Sequence, residues 1–172
     1  ALAKNAMLRG AEVTLVAGPT NLPDVPFVKM VHITSAQDMY EAVTEAAKAV
    51  GAKKVAFATP YIEDLNVLAK TYLESCEIEV LNTKGLGLLY DKDMDATPLE
   101  KIYELAKSVD VPEADAVLIL CTGVRSVPII EMLEKDLKKP VISAIQASMW
   151  YSLKTLGIDT NEVKGFGSLF EK

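Results

Sequence analysis

Apolar and polar positions along the chain follow two periods, and the sharpest change between them falls within residues 114–126, read A-D-A-V-L-I-L-C-T-G-V-R-S. Residues 117–120 form an apolar run without polar alternation, which suits a strand covered on both faces. From Val124 to Lys135 apolar residues recur at helical spacing, so Cys121, Thr122 and Gly123 stand at a strand-to-helix turn. The same reading predicts strands over 11–17, 28–33, 54–58, 77–82 and 141–143, and helices over 1–9, 36–50, about 63–74, 98–108 and about 146–156. Punctuation supports it. Gly18-Pro19-Thr20-Asn21-Leu22-Pro23 and Gly85-Leu86-Gly87-Leu88 read as loops, and Ser35, three residues before Asp38, is placed to cap the helix over 36–50. Thr97, Pro98 and Glu100 form the pattern of a capping box, and 165–170 read as a strap.

Strands that alternate with helices need crossover connections. The expected architecture is therefore a three-layer α/β domain, Rossmann-like or flavodoxin-like, whose single, mostly parallel sheet holds about six strands and unfolds as one cooperative unit. In such a sheet the carboxyl ends of the strands bring the turns at Pro19, Tyr61, Cys121 and Ala144 to one rim, where a ligand would bind.

Composition narrows the function classes. With 172 residues, half of them apolar, the chain has the material for one domain over 1–172. A net charge of −6 gives no reason to expect nucleic acid or a membrane surface as partner. The absence of a spanning-length apolar run or a signal pattern makes cytoplasmic the expected location. Cys76 and Cys121 make neither a disulfide framework nor a metal site, and the single histidine, His32, reads as structural. Asp91, Asp93 and Asp95 superficially suggest a calcium loop, but the interposed Lys92 and the missing glycine and terminal glutamate argue against one. Gly85-x-Gly87 lacks the third glycine of a dinucleotide fingerprint, so neither metal nor cofactor is expected. Cys121 is the best candidate for chemistry. At a strand-to-helix turn, free N–H groups and the positive helix end would hold an anion and activate a thiol; the competing reading is a buried apolar cysteine.

Four segments carry a resemblance: Ala58-Thr59-Pro60-Tyr61 with Asn66 downstream, K-G-L-G-L at 84–88, C-T-G-V-R-S at 121–126, and K-P-V-I-S-A-I-Q-A-S-M-W at 139–150. In this order over about 100 residues, 55–156 resembles the second half of the aspartate/glutamate racemase superfamily, particularly the branch of maleate cis-trans isomerase and arylmalonate decarboxylase. The resemblance implies that Cys121 attacks, or exchanges a proton with, the carbon of a small dicarboxylate. It implies also that Tyr61 and the amides of Thr122 and Gly123 bind a carboxylate. That family normally has two similar domains with the site between them. The first domain and its cysteine have no counterpart in these residues, and Cys76, which precedes a strand instead of following one, does not take that role. The family's usual asparagines are replaced around Lys92 and at Gly123.

Residues 2–49, above all 9–23 and 35–43, resemble instead an internal piece of the phosphopantothenate–cysteine ligase domain of the bifunctional coenzyme A biosynthesis protein, beginning after its nucleotide-binding loop. A ligase-like segment over 1–50 joined to a racemase-like segment over 51–172 reads as an engineered or chimeric α/β protein without efficient catalysis. The alternatives are a cofactor-independent isomerase, racemase or decarboxylase working through Cys121, and a small-anion binding module. A homodimer would be one way to close its pocket.

Overall fold

The computed structural model describes residues 7–10, 14–17, 26–32 and 36–172. The loop over 18–23, with Pro19 on the expected rim, and the cap at Ser35 lie outside the described residues. The chain divides into two compact units, Ala1–Met39 and Tyr40–Lys172.

In the first unit β1 (Thr14–Ala17) and β2 (Lys29–His32) pair in parallel, Thr14 opposite Lys29 and Ala17 opposite His32. This pair forms a sheet of its own. The expectation of one six-stranded sheet is thereby corrected. Apolar, β-branched segments such as 13–16 announce that a backbone is extended, but not which strand edge receives its hydrogen bonds. These two strands give their ladder to each other.

Helix α1 (Ala36–Ala49) begins in the first unit and continues into the second, where Ala42, Val43, Ala46 and Ala47 bury one face at helical spacing. Gly51, at φ 76°, reverses the chain into β3 (Lys54–Tyr61). There follow α2 (Glu63–Ser75), β4 (Glu79–Leu88), the short α3 (Asp91–Asp95), α4 (Leu99–Val109) and β5 (Ala116–Ile119). After a 3-10 turn at Val127–Ile129 come α5 (Ile130–Leu137), β6 (Val141–Ser143) and α6 (Ala144–Thr155). All four strands are parallel, in the order β4-β3-β5-β6. The centre of the sheet is dry: Val55–Ala58 and Ala116–Leu120 are buried, as an unalternated apolar run requires of a strand covered on both sides.

Three local expectations need correction. Residues 85–88 are not a loop but the end of β4, which runs on beside β3 to pair Leu88 with Tyr61. Thr97 does not cap α4. Its hydroxyl donates to the Asp93 carbonyl at 2.9 Å and so closes α3, while Pro98 takes the cap position without a side-chain bond. The predicted helix over 124–135 starts later, because Val124–Ser126 are turn and Pro128 sits in the 3-10 turn ahead of α5. At the other end of the sheet, Ser143 and Gln146 form the reciprocal capping box that starts α6.

The C-terminal residues form the strap expected of 165–170. Glu134 accepts hydrogen bonds from the Ser168 amide at 2.9 Å and hydroxyl at 2.7 Å, and Leu169 and Phe170 are buried beneath it. Asp91, Asp93 and Asp95 belong to α3, and among the described residues no three His, Cys, Asp or Glu side chains gather as a metal site. Among the same residues no helix is long and apolar enough to cross a membrane.

Candidate active site

The strand order makes a switch point. From β3 the chain steps outward to β4 on one side, and from β5 it steps outward to β6 on the other, so the crevice at the carboxyl ends of β3 and β5 is left uncrossed by either connection. Tyr61 ends β3, and Cys121 follows β5 after Leu120, whose amide continues the ladder to the Ala58 carbonyl at 2.9 Å. Both flank the crevice. Ala144 starts α6 at the end of the next strand along, β6.

Cys121 is 7% exposed and packs in the core cluster that includes Ala58, Ile119 and Val124, with Tyr61 against it. Its backbone takes φ 92°, a conformation that costs an L-residue on the order of 1–3 kcal/mol. The turn over 122–126 and the 3-10 turn separate it from α5, so the expected helix end does not abut the sulfur. Any donors to a bound anion come instead from the turn. Among the described residues the amides of Thr122 and Gly123 make no hydrogen bond, and the Gly123 Cα carries no side chain to cover the sulfur; a Cβ there would stand 3.6 Å from Sγ.

Tyr61 is half-buried and packs against the core cluster that holds Cys121. Burial raises its pKa well above the ordinary tyrosine value, and the nearby Cys121 pushes it in the same direction. Tyr61 is therefore a neutral donor throughout the physiological range. Tyr40, from the second turn of α1, is a residue that sequence reasoning missed. Burial raises its phenol and Cys121 adds to the effect, while its ring lies 5.0 Å from that of Tyr72 on α2. Only the direction of α1 could have signalled it, since a helix entering the amino end of β3 starts near the carboxyl rim. Cys76, at the C-terminal end of α2, is remote from this rim in the topology.

The family described as arylmalonate decarboxylase matches residues 28–170. A maleate isomerase of Nocardia farcinica is 30% identical over 132 residues, 76% of this chain and 52% of that protein. The crystal structure of the maleate isomerase Iso from Pseudomonas putida S16 superposes with a TM-score of 0.75 at 31% identity, covering 83% of this chain and 56% of the other. A variant of the Nocardia farcinica maleate cis-trans isomerase with a covalently bound succinylcysteine intermediate gives 0.72 at 27% identity, over 84% and 56%. The chain thus spans about half the length of the curated relatives it matches.

The ligase resemblance is partial. It amounts to 51% identity over 47 residues with the coenzyme A biosynthesis bifunctional protein of Vibrio vulnificus, 27% of this chain and 12% of that one. The racemase-superfamily likeness is the one that extends through sequence and fold. An engineered chimera without efficient catalysis, expected from the sequence, is overturned by that likeness, which supports cysteine-based chemistry without a cofactor. By a match that spans most of its residues, the chain belongs to the arylmalonate decarboxylase family.

Proposed function

We propose that this chain carries a cysteine-dependent isomerase site that converts a small cis-dicarboxylate of the maleate type into its trans isomer. The observation that carries the reading is a buried Cys121 thiol at the switch point of the sheet, in a core cluster against which Tyr61 packs. With its proton given up to solvent beforehand, the Cys121 thiolate adds to one alkene carbon, and as the C–S bond forms, the π pair moves into the adjacent carboxylate as an enediolate. Rotation about the remaining single bond follows. The electron pair then returns to re-form the double bond, the C–S bond breaks with its pair returning to sulfur, and the trans acid leaves. No oxidant, reductant or net proton is needed. Tyr61 and the amides of Thr122 and Gly123 take the role of donors to the carboxylate on which charge builds.

The maleate isomerases among the relatives support this choice of substrate. A homodimer that closes the rim belongs to the same proposal. A second reading rests on the matched family itself: Cys121 would return a proton to the carbon of an aryl malonate after carbon dioxide leaves. Incubation with maleate and with an aryl malonate, across protein concentrations, tests both. Fumarate that appears with the intact protein and not with C121S supports isomerisation. Carbon dioxide from the malonate without fumarate from maleate selects decarboxylation. Turnover of neither substrate at any concentration sinks the proposal.

A further inference from the structure

Tyr61 reaches Cys121 from an irregular piece of sheet. Along β3 and β4, Thr59 lies opposite Gly85 but Tyr61 lies opposite Leu88, so β4 spends one residue more than β3 across this interval. Pro60, within it, has no N–H to give to a ladder, and Gly87 takes φ 70°. Such a bulge turns the next side chain to a new direction. What holds it is a chain of hydrogen bonds. The Tyr61 amide donates to Thr59 Oγ1 at 3.1 Å, the Thr59 hydroxyl donates to Asn66 Oδ1 at 2.6 Å, and Asn66 Nδ2 donates to the Glu63 carboxylate at 3.3 Å. Thr59 and Asn66 are each only 1% exposed, so their polar atoms have little water to exchange with. Each bond in such a chain polarises the next, and the charged end at Glu63 strengthens the run.

Gly85 makes room for it. A Cβ at Gly85 would fall on the Tyr61 carbonyl and stand 2.6 Å from Asn66 Nδ2. The strand, the first turns of α2 and the glycine edge of β4 therefore meet at one backbone segment, the one that aims Tyr61.

We infer that Thr59 and Asn66 are positioning residues for the proposed reaction: they lock the bulge that presents the Tyr61 phenol to Cys121. The inference rests on the isomerase reading above, because it assigns Tyr61 a task in that site. Neither side chain touches substrate. Loss of the Thr59 hydroxyl frees the Tyr61 backbone and lets the phenol drift, and a displacement of about 1 Å is enough to cost rate.

The test compares T59V, which keeps the shape and loses the hydroxyl, with T59S, which keeps the hydroxyl, and with E63A on the surface. Carbon-13 labelling of the tyrosine rings, with Tyr61 assigned by its absence in Y61F, reads the phenol directly. In wild type and T59S the Tyr61 signal stays protonated beyond the pH at which exposed tyrosines titrate. In T59V it titrates earlier, back toward the ordinary value of 10.0, and kcat/KM for maleate falls about tenfold. E63A moves both in the same direction by a smaller amount. A folded T59V with the wild-type Tyr61 titration and wild-type turnover overturns the inference; if T59V does not fold, an E63A protein that matches wild type in both overturns it. Failure of the isomerase reading looks different: the wild-type protein then forms no fumarate from maleate, while the Tyr61 titration still compares T59V with wild type.

Discussion

Tyr61 and Cys121 meet at the crevice between two adjacent parallel strands, a side chain from the end of β3 packed against the core cluster that holds the thiol just past the end of β5. Because burial above all, with Cys121 nearby, keeps the phenol protonated, Tyr61 resists ionisation in the fold but not in the unfolded chain. The sign follows from linkage. A group whose folded pKa is raised contributes fully below its unfolded value, near 10.0, and its contribution is lost as pH rises through the folded value. Melting temperature should therefore fall as pH climbs above about 10, and Tyr40, raised by burial, adds to the slope. Y61F and Y40F should each flatten the decline in a thermal-denaturation series. An unaltered slope in both variants would show that neither phenol is buried in its protonated form.

Asp115 supplies the opposite limb. At the amino end of the sheet its carboxylate accepts from the Lys53 amide at 2.9 Å and the Lys54 amide at 2.8 Å, and these two bonds hold its pKa below the ordinary aspartate value. A lowered pKa gives stability that is present above pH 3.8 and lost as pH falls through the folded value. D115A should cost about 1 kcal/mol at neutral pH, no more because the carboxylate is exposed to solvent. Urea titrations at pH 6 and at roughly pH 2–3 check it: the gap between variant and wild type should close in acid. A gap that persists unchanged would mean the bonds to Lys53 and Lys54 do not depend on the charge.

The central strands and the placement of Cys121 were legible because unbroken apolar runs have one cheap solution, burial on both faces with a turn where the run ends. The same logic brought Tyr61 to the rim, since β3 is the neighbour of β5 and both run the same way. Pairing partners were not legible. Nothing in Thr14–Ala17 distinguishes the edge of β2 from any other strand edge. The glycines at 85 and 87 read as loop because glycine is a strand breaker by propensity, yet here they are what allow β4 to pass close to Asn66 and Tyr61. Thr97 matched a capping pattern but spends its hydroxyl as a donor one turn back. Tyr40 gave no local sign at all, because what sets its ring against Tyr72 is the packing of one helix and not a motif.

The C-terminal strap makes a separate prediction. Glu134 takes three hydrogen bonds, two from Ser168 and one at 3.1 Å from the Val141 amide, and so ties the strap to both α5 and β6. E134A should destabilise by about 2 kcal/mol, a fall in Tm of roughly 4–8 °C for a chain of this size. Gly167, at φ 91°, has no room for a side chain, since a Cβ would stand 2.5 Å from Ile130 Cγ2 and 2.9 Å from Gln146 Nε2. G167A should accordingly detach the strap, with cleavage by carboxypeptidase or trypsin near Lys164 as the readout. Resistance equal to wild type in both variants would show that Leu169 and Phe170 hold the strap without the latch.

The backbone of Cys121 allows strain to be separated from chemistry. At φ 92° any side chain pays a steric cost that glycine escapes, and the cost is tolerated where a functional group must be presented from that backbone. C121A and C121G both remove the thiol, and so both should abolish turnover under the reading proposed above. They differ in the strain they leave behind. Alanine keeps a Cβ in the left-handed region, whereas glycine relaxes it, an advantage of 1–2 kcal/mol that the greater entropy of glycine in the unfolded chain reduces to about 1 kcal/mol. Chemical denaturation should find C121G more stable than C121A by about that margin, although elsewhere in a strand end the same exchange would destabilise. If C121A proves the more stable of the two, the positive φ carries no strain, and the thiol is held there by ordinary packing in the core cluster with Ile119 and Val124.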